Sequence, residues 1–172
     1  VFIFINITIQ ILWITFAAIT LPAAQYYQVG DLQIGLLAMI FMIVFIPLSL
    51  PVSWMIDTWG FYRTVSLGAI LMSVFSLLRG LLGESYTAVL LCTIGIAISQ
   101  PFLMNAWTKV AARWFPIQER ATAVGLSAVG NFLGTGIGLV LTPLLILRFS
   151  IPTILLFYGV LATVSAVLFI VL

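Results

Sequence analysis

The chain has no histidine, one cysteine, and only six basic and four acidic side chains. Each shortage excludes something. Without histidine, and with cysteine only at Cys92, the common transition-metal ligand sets cannot be assembled, so neither a metal nor a cofactor is expected. Cys92 has no partner for an internal disulfide, which leaves the redox compartment open. A Cys–His or Ser–His nucleophile pair is also missing, which argues against an enzyme. Charged residues make up 6% of the chain, where soluble domains carry about a quarter, so a water-facing globular surface cannot be covered. A formal net charge of +2, scattered along the sequence, is too small to imply a nucleic-acid partner.

What is there is apolar. Hydrophobic residues make up 64% of the chain and the mean hydropathy is +1.33. Its solvent is a lipid bilayer. A spanning helix needs about 20 mostly apolar residues. Six such runs are expected, at roughly 1–24, 34–55, 64–82, 86–109, 121–147 and 152–172. Short connections join them: "YYQVGD", with Asp31 the expected N-cap of the second helix, then "RGLLGES", "ARWFPIQER" and "RFSIP". The chain begins and ends inside apolar runs, which reads as a piece of something longer. Arg63, Lys109, Arg113 and Arg120 fall on the even-numbered connections, Arg79 and Arg148 on the odd ones. That asymmetry predicts both chain ends in the cytoplasm, and the plasma membrane is the expected location of this integral protein.

Charges are expected only at span ends, so function must rest on neutral polar and aromatic residues. Asn6, Gln10, Trp13 and Thr20 share one stripe of the first helix. Gln100 and Trp107 share a face of the fourth, and Ser127, Asn131, Gly134, Gly138 and Thr142 share one of the fifth. Such faces either pair with another helix or line a wet cavity. The pattern predicts a cavity bounded by the first, fourth and fifth spans. For Asn6 and Gln10 both uses stay open. Gly130, Gly134 and Gly138, spaced by four, read as a close helix-packing stripe. Pro47, Pro51, Pro101 and Pro143 mark kinks or helix ends.

The stretch "PVSWMIDTWGFYR" concentrates scarce charge between two apolar runs. Gly60 lets the chain reverse in few residues. Asp57 can face the positive N-terminus of a neighbouring helix, and Arg63 can pair with an acid. Glu119 and Arg120 form a second cluster at the same membrane face. Ion pairs at the water interface break and re-form cheaply, which suits a conformational latch. The alternative is that these charges only anchor the topology.

Here the sequence resembles the major facilitator superfamily, through Ser53, Asp57, Gly60 and Arg63 between the second and third spans. It departs in having Ser53 where Gly is usual, and Phe61 and Tyr62 where basic residues are common. "FIPLSLPVSWMIDTWGFY", "AARWFPIQERATAVGLSAVGNFLGTGIG" and "WITFAAIT" are similar to the family related to the feline leukaemia virus subgroup C receptor. The resemblance covers essentially the whole chain. It implies an all-α carrier of twelve helices, with this chain as the N-terminal half, built from two inverted three-helix repeats. The C-terminal six-helix half would then be a partner outside this chain.

The resemblance also implies a substrate. Transport of choline or ethanolamine is the expected activity, and its aromatic and glutamine positions fall on Trp13 and Gln100. Gln10 and Asn131 join them as candidate substrate residues. A quaternary ammonium offers no donor to a carboxylate, whereas an aromatic face attracts it. The Gln100 amide can orient a hydroxyl group. An organic anion or another metabolite remains an alternative, as does a receptor or scaffold that transports nothing. Haem ranks lowest, because Cys92 is its sole candidate ligand.

Overall fold

The computed structural model describes residues 1–172, the side chain of Thr108 excepted. Its helices are α1 (Phe2–Ala18), α2 (Thr20–Tyr27), α3 (Asp31–Trp59), α4 (Phe61–Leu81), α5 (Tyr86–Met104), α6 (Trp107–Trp114), α7 (Arg120–Ile146) and α8 (Ile151–Val171), with one 3-10 turn at Ile117–Glu119. Five helical stretches are long and apolar enough to cross a membrane, and six if α1 and α2 form one bent span.

The first span is broken. α1 and α2 meet at 70°, and Ile19 between them leaves the helical region at φ −131°. Pro22 gives the reason. It has no N–H for the Ala18 carbonyl, and its ring crowds that carbonyl. α2 therefore folds over the end of the bundle. The Tyr27 hydroxyl donates to the Gly83 carbonyl at 2.6 Å, and Tyr86 donates to the Gln33 carbonyl at 2.8 Å. Pro47, Pro51, Pro101 and Pro143 all lie inside helices, and none ends one.

α3 extends further than expected at both ends. Gly30, rather than Asp31, is its N-cap, because the Gln33 side chain accepts the Gly30 N–H at 2.9 Å. At the other end Asp57 sits within the last turn, and Gly60 alone joins α3 to α4. Gly60 adopts φ +88°, which disfavours a residue with a Cβ.

The packing follows a twofold pattern. α1 packs on α7, α3 packs on α5, and α4 packs on α8. Exchanging the first three spans for the last three maps the α1–α7 contact onto α5–α3 and leaves α4–α8 in place, as two inverted repeats require. This is the all-α arrangement of two three-helix repeats that the sequence led one to expect. Small residues permit the closest approaches. A methyl group on Gly80 would lie 2.4 Å from the Leu156 Cα, and one on Gly159 would lie 2.7 Å from the Ser76 carbonyl, so α4 and α8 are locked backbone to backbone.

Arg79 lies in the last turn of α4, at the span end where it is expected, but its side chain does not face water. It is fully buried inside the bundle, beneath α2, with Nη1 donating to the Leu12 carbonyl of α1 at 3.3 Å. The fold of α2 over the bundle end takes away the water that a span-end arginine would reach.

Candidate functional site

Trp13, Gln10 and Gln100 come together. With Phe41, Met42, Phe45 and Ile46 of α3 and Met104 of α5 they line a cleft of about 370 Å³. The cleft opens past Met42 and Ile46, both exposed. It is bounded by the first, second and fourth spans, whereas the polar stripes pointed to the first, fourth and fifth. The fifth span is displaced because α7 uses its polar face to press on α1. A methyl at Gly134 would lie 2.5 Å from the Ile7 carbonyl, one at Gly130 2.8 Å from Ile3 Cγ2, and one at Gly138 2.3 Å from Ile14 Cγ2. Asn131 is buried on this same helix and does not line the cleft.

Hydrogen bonding divides the polar residues of α1. Asn6 is satisfied twice: its amide donates to the Phe2 carbonyl at 2.8 Å, and its oxygen accepts from Trp107 Nε1 at 2.9 Å. It ties α1 to α6. Gln10 Oε1 and Asn131 Oδ1 are buried acceptors with no partner among the described residues. A buried acceptor left unpaired costs on the order of 1–3 kcal/mol, so each awaits a donor. The Trp13 ring is held by its own N–H, which donates to the Ala38 carbonyl of α3 at 3.2 Å. That bond leaves the faces of the indole for apolar or cationic contact. Among the described residues, none that lines the cleft is acidic or basic.

Below the cleft, Asn105 joins α5 to α3. Its amide donates to the Ser49 carbonyl at 2.8 Å and to the Ser49 and Ser53 hydroxyl oxygens at 3.1 Å. Further toward that end, Asp57 is ion-paired with Lys109 of α6. Lys109 was not among the expected partners of Asp57. Arg63 is exposed on the first turn of α4, while α6 carries Lys109 to the end of α3. Both partners of the pair are about half exposed, 50% for Lys109 and 55% for Asp57, so it is cheap to break. Arg120 is engaged elsewhere: it donates to the Phe115 and Ala112 carbonyls at 3.2 and 3.0 Å, capping the end of α6. Glu119 is exposed and lines a separate groove with Phe2 and Phe115.

The α3 wall of the cleft (Phe41, Met42, Phe45, Ile46) has no signal in the sequence. α3 is apolar on all sides, so no periodicity marks the residues that face a cavity.

A family model described as Major Facilitator Superfamily matches residues 1–172. The choline/ethanolamine transporter FLVCR1 of Mus musculus is 31% identical over 140 residues, covering 78% of this chain and 24% of that protein. Solute carrier family 49 member A3 of Xenopus tropicalis is 28% identical over 149 residues, covering 81% of this chain and 31% of that protein. The crystal structure of a bacterial homologue of the human lysosomal transporter Spinster, inward-facing and unoccupied, superposes with a TM-score of 0.74. It is 18% identical and covers 97% of this chain and 40% of that one. The chain thus spans roughly a quarter to a third of the length of these curated relatives.

Proposed function

The chain belongs to the major facilitator superfamily, and from that premise we propose that residues 1–172 are the N-terminal half of a carrier. That carrier moves a small organic solute across the membrane by alternating access, and the chain is not an enzyme. A C-terminal six-helix half completes it, and both ends of this half face the cytoplasm at the plasma membrane.

The proposed substrate is a choline- or ethanolamine-like amine. One observation carries this reading: the cleft joins a fixed indole and two phenylalanine rings to the side chains of Gln10 and Gln100, with no carboxylate among its described lining residues. Aromatic faces attract a desolvated ammonium by about 2 kcal/mol or more. Gln100 supplies an amide to the same ligand, and the enclosed, unpartnered oxygen of Gln10 accepts a hydroxyl or N–H from it once the Gln10 side chain turns toward the cleft. Relatives named as choline/ethanolamine transporters agree with this chemistry. Asn131 reaches the substrate only if α7 moves off α1 during the cycle.

An organic anion would need a cation facing the cleft, from this half or from the C-terminal one. Arg79 is the buried charge among the described residues, and it lies outside the cleft lining. Among the described residues this half of the cleft offers no ionisable lining residue, which favours a cationic substrate that runs down its own gradient over a proton-coupled one, and acids of the C-terminal half would reopen the coupling. The membrane potential assists by about 2.3 kcal/mol per 100 mV.

Uptake of labelled choline by the full-length carrier in proteoliposomes tests this. Saturable uptake that ethanolamine competes for is expected. Purified, folded protein that neither takes up nor binds either amine overturns the substrate. Transport of no solute at all overturns the carrier reading in favour of a receptor or scaffold.

A further inference from the structure

The Arg79 guanidinium is the largest fully buried side chain among the described residues. It makes one hydrogen bond, from Nη1 to the Leu12 carbonyl, and lies 5.8 Å from the centre of the Phe16 ring. Nε and Nη2 have no partner among the described residues. No acid neutralises it, because Asp31, Asp57, Glu84 and Glu119 are all exposed, and Asp57 is paired with Lys109. A buried charge without a counter-ion is a poor stabiliser, and an apolar residue of similar size in its place is often neutral or stabilising. Packing stability therefore does not explain this arginine.

Its position does. Arg79 stands beside Gly80, where the backbones of α4 and α8 touch, so it projects from a pair of helices packed backbone to backbone. It reaches α1 at Leu12 and Phe16, a different face from the one carrying Gln10 and Trp13. Phe16 lies one turn before the break at Ile19. We propose that Arg79 is a positioning residue for transport. From the α4–α8 pair it pins α1 just below its break, and so sets where Trp13 and Gln10 stand in the cleft. This rests on the amine-carrier reading above.

The test is made in the full-length carrier with Arg79→Met and Arg79→Lys. Arg79→Met is expected to melt at or above the parent's temperature while binding choline about tenfold more weakly, as a site with a loosened supporting contact does. Arg79→Lys, which keeps a charged donor for the Leu12 carbonyl, is expected to recover most of the affinity. Parent-like affinity in Arg79→Met overturns the proposal. So does a melting temperature several degrees below the parent's, or failure to fold, since either makes Arg79 a core residue. If the parent itself does not bind choline, the substrate reading has failed separately. Arg79 is then tested without ligand, by hydrogen–deuterium exchange of the α1 backbone amides from Leu12 to Phe16, the stretch it touches. Faster exchange there in Arg79→Met supports the pin, and equal rates overturn it.

Discussion

Trp107 donates its indole N–H to the side-chain oxygen of Asn6 at 2.9 Å, and this bond separates two residues that share one stripe of α1. Asn6 is consumed in holding α6 to α1, while Gln10, one turn on, keeps an unpartnered oxygen. Asn6→Ala is expected to lower stability by about 1–3 kcal/mol, because it strands the Trp107 N–H. Substrate affinity in the folded fraction should stay as it was. Gln10→Ala should do the reverse, weakening amine binding without lowering the melting temperature. Thermal melts and binding isotherms on the two variants check the contrast, and a shared phenotype would count against dividing the stripe.

The six apolar runs were legible because a bilayer demands long uninterrupted stretches, and the structure places helices on all of them. Trp13 and Gln10 were legible because polar or aromatic residues stand out on an apolar helix. The α3 side of the cleft was hidden for the opposite reason: Phe41 and Phe45 look like every other residue of α3. Arg79 was legible as a span-end charge, and it does lie in the last turn of α4, but its burial depends on the fold of α2 at Pro22, which no local pattern showed. The Asp57–Lys109 pair joins residues far apart in sequence, which no local pattern could reveal.

That pair makes a reciprocal prediction. Asp57→Ala and Lys109→Ala should each slow transport while changing stability by less than about 1 kcal/mol, given the exposure of both partners. If the contact is what matters, the double variant should be no slower than either single one. The charge swap Asp57→Lys with Lys109→Asp should recover rate. Transport assays on the set decide it. Unchanged rates throughout would make these residues anchors of topology. Arg120→Ala belongs to a different class here, since it uncaps α6, and its effect should not depend on Asp57.

Gly134 is where α7 and α1 approach most tightly in their backbones. A methyl there meets the Ile7 carbonyl at 2.5 Å and the Gln10 Cβ at 3.0 Å. Gly134→Ala should destabilise by about 1–3 kcal/mol through overpacking, and it should also weaken substrate binding by pushing Gln10. Gly136→Ala on the same helix meets nothing within 4 Å and serves as the control. Equal melting temperatures for the two variants would contradict the packing described.

Orientation is checked by chemistry at the two ends. Cysteines placed at Gln28 and Glu84 should react from outside intact cells with an impermeant thiol reagent, and cysteines at Thr58 and Gln118 should not. The opposite labelling pattern would invert the bundle.

The central claim is that the cleft between α1, α3 and α5 holds a small amine against the Trp13 ring. The most direct measurement is the choline affinity of the full-length carrier with Trp13→Ala and Trp13→Phe. Loss of the ring should cost about 2 kcal/mol, roughly thirtyfold in affinity, while Trp13→Phe retains part of the binding. Choline bound by Trp13→Ala as tightly as by the parent would contradict the account.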